Sequence, residues 1–267
     1  MRELPPAGGA PGAAADDLPA MSLLDHLEEL RKRIFRAAGV YTLAFLACWT
    51  VHRQIFDFLR RPIEPHLPDG KLSFFAVSEP FLLYFKTAAL AALFLSAPWL
   101  LWELWGFISP GLYKKEKRWA IPFVFFTSFF FIAGGVFAYY IAFPFAVDFL
   151  LEMGQDFEPV IAANSYLRFL MTVILGLGLM FELPVVIFLF SILGIVTPHF
   201  LLRHFRWAVL LIFIAAAVIT PTPDIVNLCL FALPTIALYL LGVGASFLVY
   251  KKRTKAKEEQ LEPRPPG

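Results

Sequence analysis

The chain has 267 residues, of which 59% are hydrophobic and 16% charged, with a formal net charge of +2. Soluble domains run nearer half apolar and a quarter charged, so water is not this chain's main solvent, and nothing in it calls for a nucleic-acid partner. The apolar residues gather into runs of about 18 or more, the length of helix that crosses ~30 Å of hydrocarbon, so the fold class is all-α, a polytopic integral membrane protein.

Residues 1–20 are rich in Pro, Ala and Gly with Asp16 and Asp17, and read as a disordered cytoplasmic tail. Ser22 begins a helix, with Asp25 in the capping-box position. Leu23, Leu27, Leu30 and Ile34 form an apolar stripe opposed by Asp25, Glu28, Glu29, Lys32 and Arg33, the pattern of a helix lying along the membrane surface and leading into the first span.

The membrane domain, 21–250, holds six expected spans. They are Ile34 to Val51, Phe81 to Ile108, Trp119 to Phe143, Tyr166 to Leu193, a short one at Trp207 to Ile219, and Ile225 to Val249. A basic cytoplasmic tail, 251–267, follows. Grouped by loop, 17 of the 23 Lys and Arg fall on one side: five up to Arg36, four at 109–118, Arg203 and Arg206, and six after the last span. That side is cytoplasmic, which puts both termini inside.

The fifth span is short, with 13 uncharged residues between Arg206 and Thr220, about 20 Å of helix against ~30 Å of hydrocarbon. Segments five and six either cross, with Arg206 snorkelling or the bilayer thinning locally, or turn back together, and in each case the tail stays inside. Cys48 and Cys229 sit inside apolar runs as small hydrophobes, and the six Trp are expected mostly at the membrane interfaces.

Polar residues inside the spans mark function by default, because they cost several kcal/mol there. Glu182, in Phe181-Glu182-Leu183-Pro184, lies mid-span beside a proline that should kink the helix. It is either a protonated acid bonded to a neighbouring helix or a polar spot that receives a partner helix or wets a cavity during transport. Glu103 lies within snorkelling reach of the cytoplasmic headgroups, and Asp224 closes an outer turn as a helix cap. No enzyme motif is present: the chain has no phosphate loop, nucleophile elbow or zinc-binding helix signature. All five His lie in loops or at span ends, so no cofactor or metal is expected. A proton-coupled carrier of a small solute, using Glu182, is an alternative function that this pattern leaves open.

On the cytoplasmic face Glu28 and Glu29 sit in His26-Leu27-Glu28-Glu29-Leu30-Arg31-Lys32-Arg33, and Glu116 in Lys114-Lys115-Glu116-Lys117-Arg118. Glu28 with Lys32 and Glu29 with Arg33 are ordinary pairs four apart. Equally, a carboxylate just above the bilayer suits an incoming guanidinium, whose planar fork it matches. Adjacent helical residues point ~100° apart, so Glu28 and Glu29 cannot both face one partner.

Five stretches together resemble the TatC family of twin-arginine translocase subunits. These are His26 to Arg33, Ser78-Glu79-Pro80-Phe81, Ser96-Ala97-Pro98 through Trp105-Gly106-Phe107-Ile108-Ser109-Pro110-Gly111-Leu112-Tyr113-Lys114, Phe181 to Pro184, and Thr220-Pro221-Thr222-Pro223-Asp224. The resemblance implies a six-helix, glove-like concave bundle in the bacterial inner membrane. It implies a protein that binds twin-arginine signal peptides of folded cargo and works with the single-span TatA and TatB subunits on proton-motive force. A homo-oligomeric receptor complex in contact with membrane lipid also follows from it. It assigns the arginine contacts to Glu29 and Glu116, receptor roles to Arg31 and Phe107, outer-loop shape to Pro62 and Asp224, and the intramembrane polar site to Glu182. One departure is Leu228, beside Asn227, where many relatives carry Gln.

Overall fold

The computed structural model describes residues 23–67, 71–108, 120–220 and 224–261; the expected tail at 1–20, Ser22 and Glu116 lie outside the described residues. A backbone in hydrocarbon must satisfy its own N–H and C=O groups, and the chain does so with helices. In order they are α1 (Leu23–Thr50), α2 (His52–Arg60), α3 (Glu79–Ile108), α4 (Ala120–Phe137), α5 (Phe143–Met153), α6 (Ala163–Met180), α7 (Leu183–Leu193), α8 (Pro198–Arg203), α9 (Phe205–Ile219) and α10 (Ile225–Leu261). Four stretches are long and apolar enough to cross a membrane: Glu79–Phe107, Ile121–Met153, Ala163–Leu193 and Ile225–Lys251. A bent pair, α1 with α2, and the shorter α9 account for the other two apolar segments expected from the sequence.

Four local features differ from the expectation or refine it. The amphipathic stretch from Leu23 is not a separate surface helix, because no breaker precedes Gly39 and α1 runs unbroken to Thr50. After Val51 the axis turns by 79° into α2, a short helix where a loop was expected. Arg53, Asp57 and Arg60 cannot continue into hydrocarbon, so α2 turns aside, buries Leu59 and packs Ile55 and Phe56 on the core. The tyrosines of later spans pin it there: Tyr166 Oη donates to Leu59 O at 2.6 Å and Tyr139 Oη donates to Phe58 O.

The third span runs ten residues past Phe143, to Met153. Pro144 has no N–H and its ring would collide with the carbonyl four residues back, and a π turn at Ala138–Ala142 absorbs the misfit without ending the helix. The fourth span breaks as expected: α6 stops at Met180, Phe181 and Glu182 form a turn, and α7 restarts at Leu183 with Pro184 in its first turn.

α1 lies along α3, α3 along α4, α4 along α6, and α7 along α10, which also meets α8 and α9. Small residues let these backbones approach, as helices in lipid require. Cys48, Ala88 and Ala92 are buried together between α1 and α3, while Gly134 of α4 sits against Gly178 and Leu177 O of α6. The main core is centred on Phe143, Leu167, Leu170, Val173, Leu177, Ala216 and Phe231, all fully buried. A smaller cluster joins Trp105 to Phe123, Val185 and Leu189; Trp105 is therefore a core residue and not an interfacial one.

Candidate functional site

The paired ends of α1 and α3 bring the first motif of the chain against the third. On α1 the side chains divide into two faces. Glu28, Arg31, Lys32 and Phe35 line an open hollow, with Glu28 and Lys32 paired at 2.8 Å and more than half exposed. Glu29 and Arg33, four apart, face α3, with their side chains 22% and 18% exposed. Of the two adjacent acids, Glu29 is therefore the one turned toward α3, and Glu28 lines the hollow.

Arg33 joins two acids. Its Nε donates to Glu29 Oε1 at 3.0 Å and its Nη2 donates to the same oxygen, while Nη1 donates to Glu103 Oε2 at 3.2 Å. Arg36 Nη2 lies 3.5 Å from that Glu103 oxygen. Glu103 is only 4% exposed. It does not snorkel to the headgroups as expected, because α1 lies over it and supplies the compensating charge. Glu29 Oε2 is buried and has no hydrogen-bond partner. Gly106, one turn beyond Glu103, is bare where the Arg33 guanidinium rests; a Cβ there would fall onto Arg33 Nη1.

Phe107 ties the end of α3 to α1, its ring stacked on His26 at 4.6 Å between centroids. Arg31 points to the other face, its guanidinium 5.8 Å from the centre of the Phe35 ring. Of the expected site residues, Glu29 and Phe107 lie at the same end of the α1–α3 pair, Arg31 is turned to the opposite face of α1 with Glu28, and Glu116 belongs to the segment outside the described residues. Arg33, Arg36, Glu103 and Gly106 complete the cluster without having been singled out as its members.

The remaining expected residues lie elsewhere. Pro62 is half-buried in the turn after α2, beside Ile63, which is 2% exposed. Asp224 caps α10 as expected: its Oδ1 accepts from Asn227 N at 2.7 Å and its Oδ2 from Asn227 Nδ2 at 3.0 Å. Asn227, 1% exposed, keeps a buried Oδ1 without a hydrogen-bond partner. Glu182, 8% exposed, is held at the break between α6 and α7, and its Oε1 likewise has no partner. No cluster of three or more His, Cys, Asp or Glu able to hold a metal occurs among the described residues.

Residues 25–234 match the family model described as Sec-independent protein translocase protein (TatC). The chain is 44% identical over 249 residues to the Sec-independent protein translocase protein TatC of Koribacter versatilis, covering 92% of both chains. It is 40% identical to that of Helicobacter pylori strain J99, covering 89% of this chain and 92% of the relative. A solved structure described as the twin arginine translocase receptor TatC superposes with a TM-score of 0.72 at 28% identity, over 84% of this chain and 99% of that one.

Proposed function

The chain belongs to the TatC family of Sec-independent protein translocase proteins, non-enzymatic multi-pass membrane components, and from that premise we propose that it is the subunit that binds twin-arginine signal peptides. Membership of a protein-translocase family sets aside the small-solute carrier. Signal peptides of folded cargo dock at the cytoplasmic end of α1 and α3, both termini being inside, and TatA and TatB act with the chain in an oligomeric complex driven by proton-motive force.

The observation that carries this reading is Glu29, a half-buried carboxylate at the cytoplasmic end of α1 with one oxygen lacking any hydrogen-bond partner. A guanidinium supplies the parallel N–H groups such an acid lacks. Glu116 serves as the second carboxylate, Phe107 borders the bound segment, and Arg31 acts from the open face of α1. Glu182 and Asn227, each with an unmet acceptor in an apolar setting, offer hydrogen bonds to polar groups on partner helices, while Pro62 and Asp224 fix the outer turns.

The test is a titration of the full chain, purified in detergent, with a fluorescent twin-arginine signal peptide and a twin-lysine control. Glu29→Gln and Glu116→Gln should each weaken twin-arginine binding by about tenfold or more, the scale of one charge-assisted hydrogen bond. The double variant should lose the preference for arginine over lysine. Equal binding by wild type and the double variant would reject the assignment.

A further inference from the structure

A carboxylate receives a guanidinium best through two parallel N–H···O bonds, one to each oxygen. Arg33 does not give Glu29 that arrangement. Its Nε and Nη2 both go to Oε1, Nη1 is turned to Glu103, and Glu29 Oε2 is left without a hydrogen bond. One guanidinium therefore serves two acids and leaves one oxygen of Glu29 unmet. We propose that Arg33 is a resident occupant of the guanidinium seat at Glu29, and that Glu103 is the positioning residue that receives Arg33 when a signal arginine takes the seat. This rests on the reading of Glu29 as the signal-arginine acceptor.

Four points support the exchange. An incoming arginine can bind Glu29 through both oxygens only by taking Oε1 from Arg33. Released from Glu29, Arg33 does not become an unpaired charge in a half-buried place, which would be strongly unfavourable, because Glu103 Oε2 already lies 3.2 Å from its Nη1. The bare backbone at Gly106 gives the guanidinium a surface to rest on as it shifts along α3. Arg36, the other cation on Glu103, has a longer contact of 3.5 Å and a side chain 57% exposed, so it yields to solvent at little cost.

The same arrangement produces selectivity. A lysine ammonium is a point charge and cannot occupy both Glu29 oxygens in one plane. It gains too little at the seat to evict Arg33, whereas a second guanidinium exchanges like for like. Discrimination against lysine then comes from the competitor built into the receptor as well as from the acid itself.

The test uses the full chain in detergent and the twin-arginine and twin-lysine peptides, with circular dichroism to confirm that each variant is folded. Glu103→Gln keeps the side chain's shape but removes the charge that receives Arg33, so Arg33 stays on Glu29. Twin-arginine affinity should fall about tenfold, a shift of one charge-assisted hydrogen bond. Arg33→Gln empties the seat, so lysine binding should rise and the arginine preference narrow. In the double variant the Glu103→Gln loss should vanish, because Glu103 acts only through Arg33; a merely structural role would leave the losses additive. Binding by Glu103→Gln within about twofold of wild type, or a loss that persists in the double variant, overturns the inference. If Arg33→Gln does not fold, Glu103→Gln alone decides. If Glu29→Gln itself leaves arginine binding unchanged, the underlying reading falls; if it lowers binding while Glu103→Gln does not, only the exchange falls.

Discussion

Replacing Gly134 with alanine tests whether the α4–α6 contact depends on backbone meeting backbone. The added Cβ would lie 2.8 Å from Gly178 Cα and 2.8 Å from Leu177 O, so reaching an ordinary contact of 3.4 Å requires the two helices to part by about 0.6 Å. Neither neighbour is a side chain that can swing away. Overpacking of this kind costs roughly 1–3 kcal/mol, against a gain of up to about 1 kcal/mol from replacing glycine inside a helix. Gly39 on α1 and Gly244 on α10 have nothing within 4 Å of an added Cβ, so alanine there should be neutral or stabilising. At roughly 2–4 °C per kcal/mol for a chain of this size, Gly134→Ala should lower the temperature at which helical dichroism is lost in detergent by a few degrees. The two controls should raise it or leave it. Gly135→Ala should fall between, since its Cβ meets only the edge of the Phe94 ring. A drop shared equally by Gly39→Ala and Gly134→Ala would refute the close-approach argument.

Tyr166→Phe removes the hydroxyl that satisfies Leu59 O in a buried place; a loss of about 1–3 kcal/mol should appear as a lower melting temperature and as earlier proteolysis after α2. Asp224→Ala removes the acceptor for Asn227 N and Nδ2 and should cost about 1 kcal/mol, read as faster hydrogen exchange in the first turn of α10, whereas Asp224→Asn should keep most of the cap. Ser191 and Ser246, hydrogen-bonded at 2.7 Å between α7 and α10, should show a coupling of about 0.6 kcal/mol in a double-alanine cycle of thermal stability. Glu182→Gln retains an acceptor and should keep export of a reporter cargo in cells, while Glu182→Leu should lower it; a leucine variant as active as wild type would dismiss the partner-helix role.

The parts of the fold legible in the sequence are those set by length and by period. Runs such as 225–249 could be assigned to a helix because hydrocarbon leaves the backbone few alternatives. Pro184 announced the break at Glu182 because proline removes a donor at a fixed place. Two other features were hidden for physical reasons. The nine residues of α2 carry Arg53, Asp57 and Arg60 and so read as a loop, although Ile55, Phe56 and Leu59 keep a helical stripe. The extension through Pro144 to Met153 depends on a π turn, whose lengthened hydrogen-bond ring has no composition of its own.

At the site, the division of Glu28 from Glu29 was set by a 100° rotation, and the sequence could state that only one acid faces a given partner without saying which. Packing turns Glu29 toward α3, where Glu103 sits on the face that meets α1 and Trp105, two residues on, faces α4 and Phe123. The Arg33–Glu103 contact joins residues 70 apart, a distance at which no local spacing rule operates. One sequence signal did point to it. An acid one and a half turns inside a span is costly, and two arginines three apart on the neighbouring helix, Arg33 and Arg36, are the nearest charges able to offset it. Reading Glu103 as an interfacial residue used its depth alone. Its depth together with the basic face of α1 points to the buried ion pair that Arg33 and Glu103 form.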